Sequence, residues 1–116
     1  IVWGNGLSKR EFLHTTDLAD ACVKIMSLSK KKYLNLTGQV NQFLNVGYGK
    51  DISIKDLAKL ICNILEYKCK IEYDKSKPNG TYRKLIDSSK LKMINWSPKI
   101  LLEDGIRSII KNNRNF

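Results

Sequence analysis

Apolar residues recur at helical spacing in three windows of the chain, and at strand spacing in short pieces between them. Leu18, Cys22 and Ile25, with Ala21 and Met26 beside them, predict a helix from Asp17 to about residue 28. Thr15 or Thr16 can cap it, and the Asp17 charge suits its positive end. Leu57, Leu60, Ile61, Ile64 and Leu65 predict a second helix. Ser53 opens it as the cap, Asp56 completes a capping box, and Ile52 with Leu57 forms a hydrophobic staple. Leu102, Ile106, Ile109 and Ile110 predict a third, with Glu103 and Asp104 in its first turn and Lys111 in its last. A short helix from Asp87 or Ser88 through Met93 should end at a left-handed Asn95. Ile1–Gly4 reads as a strand end, REFLH (10–14) as an extended stretch, and FLNVG (43–47) and CKIEY (69–73) as short strands. Residues 30–42 and Trp96-Ser97-Pro98 read as polar loops. The pattern predicts an α/β chain with short strands and three to four helices.

Composition narrows the function classes. At 116 residues the chain is one domain or part of a larger one, and it opens inside a strand on Ile1-Val2-Trp3, as a piece of something longer would. The net charge of +10 allows a nucleic acid or a phosphorylated small ligand as partner. The charge is scattered, however; Lys30-Lys31-Lys32 is the one run of three, and no aromatic-basic interleaving marks a stacking platform. Nucleic acid is therefore not the expected partner. No apolar run approaches the roughly 18 residues of a membrane span. Cys22 and Cys62 fall on apolar stripes and Cys69 on an alternating strand, so all three read as buried thiols of a cytoplasmic protein. Without a C-x-x-C pair, and with His14 the lone histidine, no metal site is expected.

No catalytic constellation stands out. His14, just before a helix cap, reads as structural, and the glycines of VWGNG and GYGK lack the spacing of a phosphate loop. Binding has better candidates. Arg10 follows a glycine-hinged loop and offers a planar fork of donors suited to a diphosphate. Trp3 could stack on or wall off a sugar or base. Pro78-Asn79-Gly80 is a turn by construction and is followed at once by Arg83 and Lys84, which suits presentation to an anion.

The order VWGNG, REFLH-x-x-DLADAC, LNVGYG-x-DISIKDLA, SKPNGTYRKLID and W-x-PKI-x-LEDGI resembles the C-terminal part of the GDP-L-fucose synthases. These belong to the extended short-chain dehydrogenase/reductases, the NAD-dependent epimerase/dehydratase family. SKPNGTYRKLID is the most specific piece, similar to that group's SKPDGTPRKLLD. The resemblance implies the C-terminal fragment of a Rossmann-type fold, with the cofactor domain largely absent from the chain. It implies an NADP(H)-dependent epimerase/reductase acting on GDP-4-keto-6-deoxymannose to make GDP-L-fucose, homodimeric and cytoplasmic when complete. The catalytic and cofactor residues would lie outside this stretch, so none is assigned and the chain alone is expected to be inactive. Trp3, Arg10, Asn79 and Lys84 would touch the GDP-sugar. Asn79 stands in place of an aspartate and Tyr82 in place of a proline. The helix at 17–28 and the strand at 43–46 would pack on the absent sheet, leaving apolar surface exposed and the chain marginally stable alone. The alternatives are another extended nucleotide-sugar dehydratase or epimerase and, from a different class, a basic nucleic-acid-binding or non-catalytic interaction module.

Overall fold

The computed structural model describes residues 1–112. In sequence order the elements are β1 (Val2–Trp3), β2 (Lys9–Glu11), α1 (Thr15–Met26), α2 (Lys30–Thr37), β3 (Asp51–Ser53), α3 (Ile54–Ile64), β4 (Tyr73–Asp74), β5 (Arg83–Lys84), a 3-10 helix (Ser89–Ile94) and α4 (Leu102–Asn112). β1 and β4 pair in parallel, Val2 opposite Tyr73. β2 is the centre of a second sheet, antiparallel to β3 and parallel to β5, in the order β3-β2-β5. This α/β arrangement of short strands and four α-helices agrees with the sequence pattern. None of the described helices is long and apolar enough to cross a membrane.

The capping box at Ser53 forms as predicted, with one change. The Ser53 hydroxyl accepts from the Asp56 N–H at 3.0 Å and itself donates to the Asp56 carboxylate. Ser53 also lies opposite Lys9 in the β2–β3 ladder. The next two orphan donors of α3 are satisfied from the loop before β2: Ile54 N–H donates to Ser8 C=O and Lys55 N–H to Gly6 C=O. That loop and α3 are thereby fixed to each other.

α1 is capped by His14 rather than by a threonine; its Nδ1 accepts from Thr16 N–H at 3.2 Å. His14 has the structural role expected of it, one residue earlier in the cap than the threonine reading placed it. Asp17 is buried, and its Oδ2 accepts from both Lys99 N–H and Ile100 N–H. Asp20, one turn on, accepts from the buried Trp96 indole at 2.9 Å. The two aspartates of DLAD thus clamp the WSPKI loop onto α1. Asn95 takes the left-handed conformation expected of it, φ 55° and ψ 45°.

Four readings are corrected. The polar window at 30–42 contains a helix: Ser29 caps it, and Tyr33, Leu36 and Thr37 supply an inward face at i, i+3 and i+4. Residues 43–47 form no strand among the described residues, because no neighbouring strand pairs with them. CKIEY contributes only Tyr73 to β4, which runs to Asp74. Cys22 and Cys69 are exposed and Cys62 is only partly buried. On α1 only Asp17 and Ala21 are buried, and Leu18, Val23 and Met26 face solvent. The main core is small, formed by Ala21, Leu36, Leu91, Ile94 and Trp96. A radius of gyration of 17.7 Å, against about 13 Å for a compact domain of this length, reflects that thin core.

Candidate functional site

The loop between β1 and β2 and the turn between β4 and β5 face each other across a cleft of about 420 Å³. Trp3, Ser8, Arg10, Pro78, Asn79 and Gly80 are among its lining residues. Three of the four residues singled out from sequence are therefore brought together. Lys84 is not among the lining residues; it is exposed on β5, opposite Arg10 in the ladder.

Arg10 is held by backbone. Its Nη1 donates to Lys9 C=O at 2.6 Å and to Thr81 C=O at 2.9 Å, which fixes the guanidinium plane across the cleft floor. Nη2 lies toward Gly80, within 3.5 Å of where a Cβ on that glycine would stand. A guanidinium positioned this way loses little rotamer freedom when it takes a second, anionic partner. Trp3 is 69% exposed, with the Lys77 ammonium 5.6 Å from its ring centroid. One face of the indole thus carries a cation, a geometry worth about 0.5–1 kcal/mol at an exposed site. Arg83, the other cation of the turn, is committed to Asp51 in an ion pair across the sheet.

Asn79 lines the cleft and also braces it. Its Oδ1 accepts from Asn5 N–H at 2.7 Å, and its backbone carbonyl accepts from the buried Ser8 hydroxyl. It cross-links the two walls. Gly4 is part of the same lock: at φ +71° it holds a left-handed conformation, and a Cβ there would sit 2.4 Å from Asn79 Oδ1. Sequence reasoning missed Ser8 and Asn5, whose partners lie more than 70 positions away. It also missed Glu11, whose carboxylate accepts from Gly49 N–H and Ile86 N–H and so ties the GYG turn to the strand carrying Arg10.

A larger hollow, about 730 Å³, lies at the C-terminal end of α3 among Lys59, Cys62, Tyr67, Lys68 and Cys69. It carries no arginine fork. The Cys62 thiol is pushed up from its ordinary pKa, first by a hydrogen bond with Cys69 and then by desolvation. A raised pKa makes it a poor nucleophile. Among the described residues no cluster of three or more His, Cys, Asp or Glu could hold a metal ion.

Residues 1–47, which hold Trp3 and Arg10, match the NAD dependent epimerase/dehydratase family. Over nearly the whole sequence the similarity continues. GDP-L-fucose synthase 1 of Arabidopsis thaliana is 42% identical over 106 residues, 91% of this chain and 30% of that protein. GDP-L-fucose synthase of Escherichia coli K12 is 41% identical over 108 residues, 93% of this chain and 34% of that one. The chain is thus similar to members of the NAD-dependent epimerase/dehydratase family, over residues 1–47 by the family pattern and over nearly its whole length by these relatives. It spans about a third of the length of these relatives. Among solved structures, a GDP-6-OMe-4-keto-L-xylo-heptose reductase from Campylobacter jejuni superposes with a TM-score of 0.88 at 33% identity, covering 97% of this chain and 33% of that one. The GDP-mannoheptose C4 reductase of the same organism, with NADP bound, gives 0.83 at 31% identity, covering 98% and 34%. The short sheets and helices described above are thus part of a Rossmann-type extended short-chain dehydrogenase fold.

Proposed function

We propose that the chain is the C-terminal, substrate-binding portion of a GDP-sugar epimerase/reductase of the GDP-L-fucose synthase type. The observation that carries this reading is the backbone-locked guanidinium of Arg10 on the floor of a cleft walled by Trp3. Arg10 would take the diphosphate through Nη2 and Nε. Lys84, its neighbour in the ladder, would add a second positive charge at the rim. The free face of Trp3 would border the sugar or base. Asn79 and Ser8 would hold the walls at the spacing these contacts need.

NADP(H) would supply hydride in the complete enzyme. The residues present here do not fit it, because the GYG turn leads into β3 rather than opening a helix, and so gives no helix N-terminus for a pyrophosphate. The dinucleotide therefore belongs to a Rossmann domain outside this stretch, as do the acid, base and nucleophile of the chemistry. These 116 residues supply binding and orientation, in a cytoplasmic enzyme that is a homodimer when complete.

The nucleotide is favoured over the sugar as the fixed element of recognition. The relatives similar to this protein are named for making GDP-L-fucose or for reducing GDP-heptoses. A GDP-heptose reductase is accordingly the second reading.

Titration of the protein with GDP and with UDP, followed by Trp3 fluorescence in a Trp96→Phe background, tests the proposal. GDP should bind more tightly than UDP. Arg10→Ala should weaken GDP by about 10- to 100-fold, the loss of charge-assisted hydrogen bonds worth about 1.5–3 kcal/mol. Equal binding of GDP to the wild type and to Arg10→Ala would remove Arg10 from the site.

A further inference from the structure

Two Asn-Gly dipeptides, Asn5-Gly6 and Asn79-Gly80, lie on the two walls of the cleft. They share the chemistry that makes such pairs self-reactive: a carboxamide carbon one bond short of ring closure with the next backbone nitrogen, with no side group on the glycine to hinder it. Their glycines also have nearly the same backbone angle, φ +72° and +69°. Their surroundings differ.

Gly6 is buried. Its C=O accepts from Lys55 N–H at 2.9 Å, and a Cβ there would lie 2.8 Å from the Tyr73 ring and 3.2 Å from Lys55 Cβ. The ring closure at Asn5 would have to move α3 and β4 together. Asn79 and Gly80 are exposed, and the one atom within 4 Å of a Cβ position on Gly80 is Arg10 Nη2, at 3.5 Å. Two groups at this turn also favour the reaction. The Asn5 N–H at 2.7 Å from Asn79 Oδ1 polarises the carboxamide and is aimed at the oxyanion that forms on attack. The Leu7 N–H stands likewise 3.0 Å from Asn5 Oδ1, so this group is common to both sites and the difference between them lies in exposure and in Arg10. The Arg10 guanidinium beside Gly80 lowers the cost of deprotonating the Gly80 amide, since a nearby cation favours the anionic form.

We propose that Asn79 is a site of spontaneous deamidation in the folded protein and that Asn5 is protected. The Gly80 nitrogen gives up its proton and attacks Cγ of Asn79. The bond from Cγ to Nδ2 breaks, and that nitrogen leaves as ammonia carrying the proton. Water then adds at either carbonyl of the succinimide to give aspartate or isoaspartate; it is the one co-reactant. Aspartate keeps an oxygen for the Asn5 N–H. Isoaspartate lengthens the backbone by a methylene, which pulls the Asn79 C=O out of register with the Ser8 hydroxyl and loosens the wall. On the reading of this cleft as a GDP-sugar site, isoaspartate at 79 is a change that ages the binding site.

The test is a timed incubation of the protein at mildly alkaline pH and 37 °C, followed by tryptic peptide mass mapping. Asn5 and Asn79 fall in separate peptides, 1–9 and 76–83. The mass gain of amide-to-acid conversion should accumulate at least about tenfold faster in the second peptide, since Asn5-Gly6 reacts only after local opening. In 6 M urea, about the level that unfolds small domains, the two peptides should converge in rate. Equal rates in the native protein, faster conversion at Asn5, or no conversion at Asn79 while the urea sample converts at both, would each overturn the proposal. The readout is independent of nucleotide binding, so its failure leaves the GDP-sugar reading standing, and the reverse also holds.

Discussion

Gly105→Ala should destabilise this protein, against the ordinary expectation for a helix. Gly105 lies inside α4, where replacing glycine by alanine normally gains about 1 kcal/mol. Here a Cβ would stand 2.9 Å from Cδ2 of His14, closer than packed carbons tolerate. His14 cannot swing away freely, because its Nδ1 caps α1 through Thr16 N–H. Displacing the ring would forfeit a cap worth about 1 kcal/mol, and the overpacking adds about 1–3 kcal/mol. Set against the propensity gain, the net expectation is a loss of about 1–3 kcal/mol. A double-mutant cycle in urea, followed by circular dichroism, separates the terms. In a His14→Ala background the contact is gone, so Gly105→Ala should become stabilising by about 1 kcal/mol. If Gly105→Ala stabilises the protein with His14 in place, the close approach of α4 to the α1 cap is not as described and the reasoning fails.

Three further outcomes follow from single contacts. Asp17→Ala should cost about 2–4 kcal/mol, since Lys99 N–H and Ile100 N–H both lose their acceptor; Asp17→Asn should cost less than half of that, because both bonds converge on one oxygen. Asp87 is held below the usual carboxylate range, first by the Ser89 N–H and then by the Ser89 hydroxyl, with Lys90 assisting. A depressed folded pKa contributes stability that is complete above the unfolded value near 3.8 and is lost as pH falls through the folded one. Asp87→Asn should therefore flatten the acid limb of the stability curve, and an unchanged limb would show that the Ser89 contact contributes nothing. With iodoacetamide near pH 8, the exposed Cys22 and Cys69 should be alkylated before Cys62, whose thiol is held protonated by Cys69 and by desolvation; mass mapping of the three cysteine peptides reads the order, and Cys62 reacting first would contradict it.

What the sequence disclosed depended on the range of the interactions involved. Ser53 with Asp56, Asn95 at the end of the 3-10 helix, and the charged turns of α4 are local signals, satisfied within a few residues, and they were legible. α2 was not, because its inward face is carried by Tyr33, Leu36 and Thr37 among lysines and asparagines, too weak a period to outweigh a polar composition. The strand expected at FLNVG has the right residue types, but strand character needs a partner ladder, and none pairs with residues 43–47 among the described residues. Leu18 and Met26 have helical spacing, yet they face outward because the main core lies on the Ala21 side of α1. In the cleft, Arg10 and Trp3 could be picked out by residue type and by flanking glycines. The brace of Asn79 against Asn5 and Ser8 could not, since it joins positions 71 and 74 apart and uses a backbone N–H and C=O that any sequence would supply.

The central claim is that Arg10 and the two loops around it hold the diphosphate of a GDP-sugar. The most direct measurement is a titration of the isotopically labelled protein with GDP, followed by NMR at the backbone amides and at the Arg10 Nε–H. The account predicts saturable shifts at Asn5, Gly80 and Thr81 and at the Arg10 guanidinium, with the amides of α4 unmoved. Saturable shifts centred instead on Lys59, Lys68 and Lys70, or no saturable shift at Arg10, would place the nucleotide elsewhere and contradict it.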